Sequence, residues 1–279
     1  MRIAAGVDVG STQTKAVIMS DNGGVKITAR ALVDTGANVQ RAAERAFDTC
    51  CRVGGLHASD VGFVVGTGYG RYKISVGNTQ MTEITCHAKG ASFLCPGTRT
   101  VIDMGGQDSK AISVGANGGV LDFVMNDKCA AGTGRFLANS AEVMGISLDE
   151  IGPLSLKAQH PVKMATVCTV FVESDILSYL AQGKTGEDIL GGVHIAIAKR
   201  TLSLARRLNI EPEITMTGGV ARNVGMVRAL EEVIGRKMLV SPDAQFIGAV
   251  GAALFALGKL DQSFESSTWR GDHAAFGRH

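Results

Sequence analysis

Apolar and polar positions alternate in short, strand-length runs through the first part of the chain and in three- and four-residue steps through most of the rest. Ile3 to Val9 is an apolar run that ends in Asp8-Val9-Gly10-Ser11-Thr12-Gln13-Thr14-Lys15. Lys15 to Met19 then resumes the strand pattern, which predicts a tight turn over Gly10 to Thr14 between two antiparallel strands. The Asp21-Asn22-Gly23-Gly24 turn leads into a third strand, Val25 to Val33. A helix over Val39 to Cys51 and an apolar strand over Val61 to Val65 follow. Gly66-Thr67-Gly68-Tyr69-Gly70 is read as a strand-to-loop exit, and Thr85 to Leu94 as a short helix ended by Pro96-Gly97.

The opening pattern then returns. Thr100 to Asp103 runs into Asp103-Met104-Gly105-Gly106-Gln107-Asp108, followed by a strand over Ser109 to Val114 and a hairpin through Gly118-Gly119. Asp-x-Gly between strands, repeated after about 95 residues, points to two related domains. Strand flanks each turn on both sides, so neither is a Walker loop. Such turns still offer clustered N–H groups and hydroxyls to phosphate, and Asp8 is placed to hold Mg2+ through water. Further on, a long amphipathic helix over Asp188 to Leu208 supplies core. A strand beginning at Ile214 runs into Gly218-Gly219 and a helix over Asn223 to Ile234, a junction where a flat ligand or a phosphate can approach the backbone. A last helix, Gln245 to Leu257, is rich in small residues, as close packing between two domains requires. The expected division is a first domain over 1–95 completed by the helix at 245–258, a second over 96–244, and a tail over 259–279 that contains Trp269 and has no apolar periodicity.

Composition narrows this picture mainly by exclusion. Of 279 residues, 45% are hydrophobic and 19% charged, with a formal net charge of +2. That balance fits a globular protein and gives no polyelectrolyte signal for nucleic acid. No apolar run reaches the roughly 20 residues that span a bilayer, and the chain enters a strand directly, so a cytoplasmic protein without a membrane partner is expected. Six cysteines without a Cys-x-x-Cys pair do not make a disulfide scaffold, and the scattered histidines do not suggest zinc. Cys50, Cys51, Cys86 and Cys95 read as small buried hydrophobes. Cys129 and Cys168 differ. Cys129 precedes the glycine-rich turn at Gly132 and Gly134, and Cys168 precedes a stripe of Val172, Ile176, Tyr179 and Leu180. A thiol near the positive end of a helix is more readily ionised, and the thiolate is the form that binds metal.

Asp8-Val-Gly-Ser-Thr, Asp103-Met-Gly-Gly-Gln-Asp and Met216-Thr-Gly-Gly-Val-Ala, in that order, resemble the two phosphate motifs and the adenosine motif of the superfamily of acetate kinase, sugar kinases, the heat-shock chaperone and actin. Asn126-Asp-Lys-Cys-Ala-Ala-Gly-Thr-Gly-Arg-Phe and Cys168-Thr-Val-Phe-Val-Glu-Ser resemble, more narrowly, the activators of 2-hydroxyacyl-CoA dehydratases and the ATPase subunits of ATP-dependent benzoyl-CoA reductases. Thr67-Gly-Tyr-Gly-Arg and Cys86-His-Ala-Lys-Gly-Ala belong to the same resemblance, which spans residues 3 to 258.

The resemblance implies an actin-like α/β fold of two related domains with mixed sheets and an ATP cleft between them. It implies MgATP with Gly10, Ser11, Thr12, Lys15, Gly105 and Gly106 at the phosphates, and with Asp8 and Asp103 orienting magnesium through waters. Gln107 would position the attacking water, and Gly218 and Gly219 would flank the adenosine. Cys129 and Cys168 would be the ligands of a 4Fe-4S cluster shared between two subunits, in a dimer with an identical or homologous ATPase subunit. A ferredoxin-like donor would load the electron, and hydrolysis would send it to an acyl-CoA reductase or dehydratase. The Gly10 to Lys15 turn and the added tail favour benzoyl-CoA reductase over a homodimeric dehydratase activator. Two other readings stay open: a small-molecule kinase, for which Asp108 is the nearest base, and a non-catalytic nucleotide-binding scaffold.

Overall fold

The computed structural model describes residues 1–126, 129–164 and 168–272, with side chains described as far as residue 260. Asp127 and Lys128 of the Cys129 motif, Val167 beside Cys168, and residues 273–279 of the expected tail lie outside the described residues. The chain divides into two compact units, Met1–Gly90 with Gly248–His279, and Ala91–Ile247.

The first unit is built on β1 (Arg2–Val9), β2 (Gln13–Asp21), β3 (Val25–Asp34), α1 (Val39–Val53), β4 (Phe63–Thr67), β5 (Thr79–Gln80) and α2 (Glu83–Leu94). Its mixed sheet has the order β3-β2-β1-β4-β5, antiparallel across the first three strands and parallel from β1 onward. Ala16, Val17, Ile18 and Met19 of β2 are all fully buried, so both faces of this inner strand are covered and its sequence is continuously apolar. On α1, Ala42, Ala43, Ala46, Phe47, Cys50 and Cys51 form the buried stripe, and Asn38 Oδ1 caps the helix by accepting from Arg41 N at 2.9 Å.

The second unit repeats this plan with β6 (Thr100–Met104), β7 (Ser109–Val114), β8 (Val120–Asn126), α3 (Gly134–Met144), α4 (Leu148–Ser155), α5 (Val172–Ala181), α6 (Gly186–Ala205), β9 (Ile214–Thr217), α7 (Val224–Ile234) and β10 (Met238–Leu239). Its sheet order is β8-β7-β6-β9-β10. Strand for strand this matches the first sheet, so the Asp-x-Gly repeat belongs to a duplicated topology. Phe136, Ile151, Ile176, Leu190, Val193 and Ile197 fill the helical core, with α6 its central element.

The last helix, α8, runs from Ile247 to Asp272, beyond the expected end near residue 258; helix, not an irregular tail, occupies 259–272. Its small residues serve contacts inside the first unit. A methyl group on Gly6 of β1 would overlap the Ala249 carbonyl oxygen, and one on Gly251 would overlap the Cys86 carbonyl oxygen. Backbone meets backbone there, which only glycine permits. Among the described residues, no helix is long and apolar enough to cross a membrane.

Candidate functional site

The two Asp-x-Gly turns are built alike. In the first, Gly10 N donates to Gln13 O at 3.2 Å; in the second, Gly105 N donates to Asp108 O at 2.9 Å. Antiparallel register sets Asp8 opposite Lys15 and Asp103 opposite Lys110. Parallel register on the other side sets Asp8 beside Thr67 and Asp103 beside Thr217. Each threonine is followed by a left-handed glycine, Gly68 at φ 90° and Gly218 at φ 88°. A methyl group on Gly68 would overlap Asp8 Oδ1, and one on Gly218 would lie 2.8 Å from Asp103 Oδ1. Every unit therefore has an Asp-Lys-Thr-Gly set at the end of its central strands. Of these sets, the two aspartates, Lys15 and Gly218 are site residues expected from the sequence; the seven-residue spacing from each Asp to its Lys was the available signal for Lys110.

The first turn is buttressed by Thr35, whose N donates to Thr12 O at 2.9 Å and whose hydroxyl donates to Gly10 O at 2.9 Å. Ser11 is half-buried and Thr12 exposed. Lys15 Nζ donates to Gln13 O at 3.2 Å and lies over Gly10. Asp8 is only 7% exposed. It accepts no hydrogen bond and forms no ion pair among the described residues, and His87 Nε2 is close by, both facing Gly248 at the start of α8.

In the second turn Gly105 and Gly106 are half-buried and Gln107 stands exposed at the tip. Lys110, 3% exposed, is the buried cation of this turn. Its Nζ reaches Asp103 Oδ2 at 3.3 Å and Asp108 Oδ2 at 2.7 Å. Asp103 Oδ1 accepts from Thr217 Oγ1 at 2.8 Å. Asp108, the carboxylate a kinase reading would need as base, is thus tied to Lys110. Gly218 spends its missing side chain on Met104 and Asp103, whereas Gly219 faces open space. The α7 N-terminus beyond them is closed by Asn223, whose Oδ1 accepts from Met226 N at 2.9 Å. His194, almost fully buried, packs its Nε2 at 3.2 Å from that oxygen and its Nδ1 at 2.7 Å from Leu190 O.

The cysteines separate into two classes. Cys50, Cys51, Cys86 and Cys95 are buried, Cys129 is half-buried, and Cys168 is exposed. Burial pushes the thiols of Cys50 and Cys86 up to about 12, and those of Cys51 and Cys95 upward as well. Neither Cys129 nor Cys168 is itself the cap of its helix: α3 begins at Gly134 with Thr133 as N-cap, and α5 begins at Val172 with Phe171 as N-cap. Asn126, at the end of β8 and in register with Ser109, holds the Cys129 loop by donating to Cys129 O at 2.9 Å and Ala131 O at 3.0 Å. The first N–H groups of α3 are not left for a ligand. Gly134 N donates to Gly105 O at 2.9 Å and Arg135 N to Gly106 O at 2.8 Å. The helix that follows Cys129 is therefore hydrogen-bonded directly to the second glycine turn, and α3 in turn packs on α5, which follows Cys168. Among the described residues no three His, Cys, Asp or Glu side chains form a metal-binding group.

The chain is similar over most of its length to characterised proteins. The activator of lactoyl-CoA dehydratase from Anaerotignum propionicum is 46% identical over 251 residues, covering 90% of this chain and 96% of that protein. The solved structure of the activator of 2-hydroxyisocaproyl-CoA dehydratase from Clostridium difficile with bound ADPNP superposes with a TM-score of 0.90 at 40% identity, covering 95% of this chain and 97% of that one. A benzoyl-CoA reductase subunit from Thauera aromatica is 34% identical over 266 residues, 91% of this chain and 93% of that one. The preference for a reductase drawn from the first turn and the tail is therefore the less supported of the two expectations; the stronger similarity lies with dehydratase activators. Residues 5–256 match the BadF/BadG/BcrA/BcrD ATPase family, and the chain belongs to it.

Proposed function

We propose that this protein is an ATP-hydrolysing activator that delivers low-potential electrons to a 2-hydroxyacyl-CoA dehydratase. The observation that carries the reading is the pair of hydrogen bonds from Gly134 and Arg135 to Gly105 and Gly106. A glycine turn suited to phosphate and a cysteine loop suited to a redox centre share one backbone junction, so a shift of the turn is transmitted to Cys129 without an intervening element.

The cysteines fit the cluster that the resemblance implies. Two thiols outside the core, with no third ligand grouped beside them among the described residues, complete a four-thiolate set only when a second chain supplies the other pair. When bound, a 4Fe-4S cluster supplies a one-electron couple of low potential. Cys129 and Cys168 would hold it, and Asn126 would fix the Cys129 loop. The backbone N–H groups of Gly10, Ser11, Thr12, Gly105 and Gly106 would receive phosphate oxygens, with Lys15 adding a positive charge. Asp8 would orient magnesium through water. Gln107, exposed at the tip of the second turn, would orient the attacking water through its amide. Gly219 would face the adenosine, while Gly218 lets β9 close on β6.

The test is reconstitution under exclusion of oxygen. Added to a 2-hydroxyacyl-CoA dehydratase lacking its activator, with a reduced ferredoxin-like donor, the protein should restore dehydration only in the presence of ATP. Equal restoration without ATP, or restoration of a benzoyl-CoA reductase alone, would overturn the reading.

A further inference from the structure

The second half of α6 and the turn after it are basic without compensation. Between Asp188 and Glu211 the chain has no acidic residue, yet it carries Lys199, Arg200, Arg206 and Arg207. All four are exposed, while Thr201, Leu202, Ala205 and Leu208 turn the other way into the core. None of the four forms an ion pair among the described residues. The acids of the neighbouring α7 are held by other cations, Glu231 by Lys237 at 2.8 Å and Glu232 by Arg228 at 2.7 Å. The helix dipole favours positive charge at a C-terminus, which accounts for Arg206 and Arg207. Lys199 and Arg200 lie upstream of the last turn, so the dipole does not account for them.

The position of this face relates it to the cysteine loop. Gly132, at φ 85°, is covered by α6: a methyl group there would lie 3.3 Å from Arg200 Cγ and 3.6 Å from Thr201 Oγ1. The apolar stem of Arg200 thus packs on the loop three residues from Cys129, and its charged end belongs to the exposed face. Alongside, Lys199, Leu202, Ser203, Arg206 and Val233 line an open recess of about 530 Å³. Two cations and a hydroxyl around an apolar floor suit a carboxylate side chain.

We propose that the basic face of α6 is the docking surface for an acidic electron-carrier protein, received beside the Cys129 loop. This rests on the reading of Cys129 and Cys168 as ligands of a redox centre. Charge complementarity selects an acidic partner and speeds its encounter. Weak electron-transfer encounters bury little area, so a face of this size suffices. The contact of Arg200 with Gly132 selects an electron carrier among acidic partners, because it sets the docked protein against the loop that holds the thiol. The whole chain has a net charge of only +2, so the attraction is local to this face rather than a property of the molecule at large.

The test is calorimetric titration of an oxidised bacterial ferredoxin into the whole protein purified without oxygen, so that binding is read apart from activity. Affinity should fall about tenfold or more between roughly 20 and 200 mM NaCl, as screening of exposed charges requires. Lys199→Glu with Arg206→Glu should weaken binding at low salt by about tenfold or more. Lys199→Gln with Arg206→Gln, which keeps the helix free of new charge, should fall between that variant and the wild type. Lys26→Glu with Arg52→Glu changes the net charge equally on the first unit and should leave affinity within about twofold of the wild type. Equal weakening by the two reversed pairs, or no weakening by the pair on α6, would overturn the proposal. So would a short DNA duplex held as tightly as ferredoxin at about 150 mM NaCl, which would make the face a general polyanion surface. A protein that carries no iron, or that fails to restore dehydration with dithionite as reductant, would instead overturn the reading on which the proposal rests.

Discussion

Alanine at Gly134 perturbs the junction between the second glycine turn and the cysteine loop at a single point. A methyl group there would sit 3.1 Å from Val220 Cγ2, 3.2 Å from Gly105 O and 3.4 Å from Gly106 Cα. Val220 can rotate away. The other two atoms are backbone of a turn closed by Gly105 N to Asp108 O at 2.9 Å, and they yield only if the turn moves. Overpacking of this kind costs about 1–3 kcal/mol. Alanine recovers roughly 0.5–1 kcal/mol of helix-forming free energy relative to glycine. The net loss in global stability should therefore be about 1–2 kcal/mol. If the strain resides in the turn, ADP affinity falls by a similar free energy, about five- to thirtyfold at 1.4 kcal/mol per factor of ten. Titration of ADP in the presence of Mg2+, paired with thermal unfolding of the same samples, checks both quantities. An unchanged dissociation constant together with reduced stability would mean that α3 and Val220 absorb the strain, and coupling through this junction would be refuted.

Other consequences can be measured on the same material. Lys110→Met removes the buried ammonium that bridges Asp103 and Asp108 and should cost about 3–5 kcal/mol, read as a lowered urea midpoint. Burial lowers the pKa of His194, so its ring stays neutral in the fold while the unfolded chain takes up a proton as pH falls below about 6.5. The unfolded state then binds more protons, stability declines on acidification, and His194→Gln should show a smaller drop in melting temperature between about pH 7.5 and 5.5 than the wild type. Gly251→Ala would drive a methyl group into the Cys86 carbonyl and should destabilise the first unit by about 3 kcal/mol, visible as faster proteolysis between β1 and α2. Iodoacetamide on the native protein freed of metal should label Cys129 and Cys168 first and leave Cys50 and Cys86 unlabelled until denaturant is added, as peptide mass spectrometry would reveal.

What the sequence made legible was local. Strands β1 to β4, the two Asp-x-Gly turns and the α6 stripe follow from apolar period and turn chemistry that act over a few residues. α4 escaped because Gly152-Pro153 reads as a breaker, although Ser147 and Glu150 form a capping box at its start. The length of α8 escaped because the apolar periodicity of its sequence fades after residue 261. The site was half legible for the same reason. Glycines and aspartates at a turn announce themselves, but a lysine in a strand looks like any exposed lysine until the fold buries it, as happens to Lys110. Hydrogen bonds from Gly134 and Arg135 to Gly105 and Gly106 join segments about 30 residues apart through backbone atoms, which have no sequence signature at all. Gly218 shows the converse: a motif glycine whose positive φ and contact with Met104 and Asp103 already require glycine within the fold.

The central claim is that Cys129 and Cys168 of two chains hold one redox cluster under the control of ATP. Its most direct test is iron and acid-labile sulfide per chain on protein purified without oxygen, with native mass recorded on the same sample. Roughly two irons and two sulfides per chain are expected in a dimeric particle, lost in Cys129→Ser and Cys168→Ser. A monomer without iron that still hydrolyses ATP would contradict it.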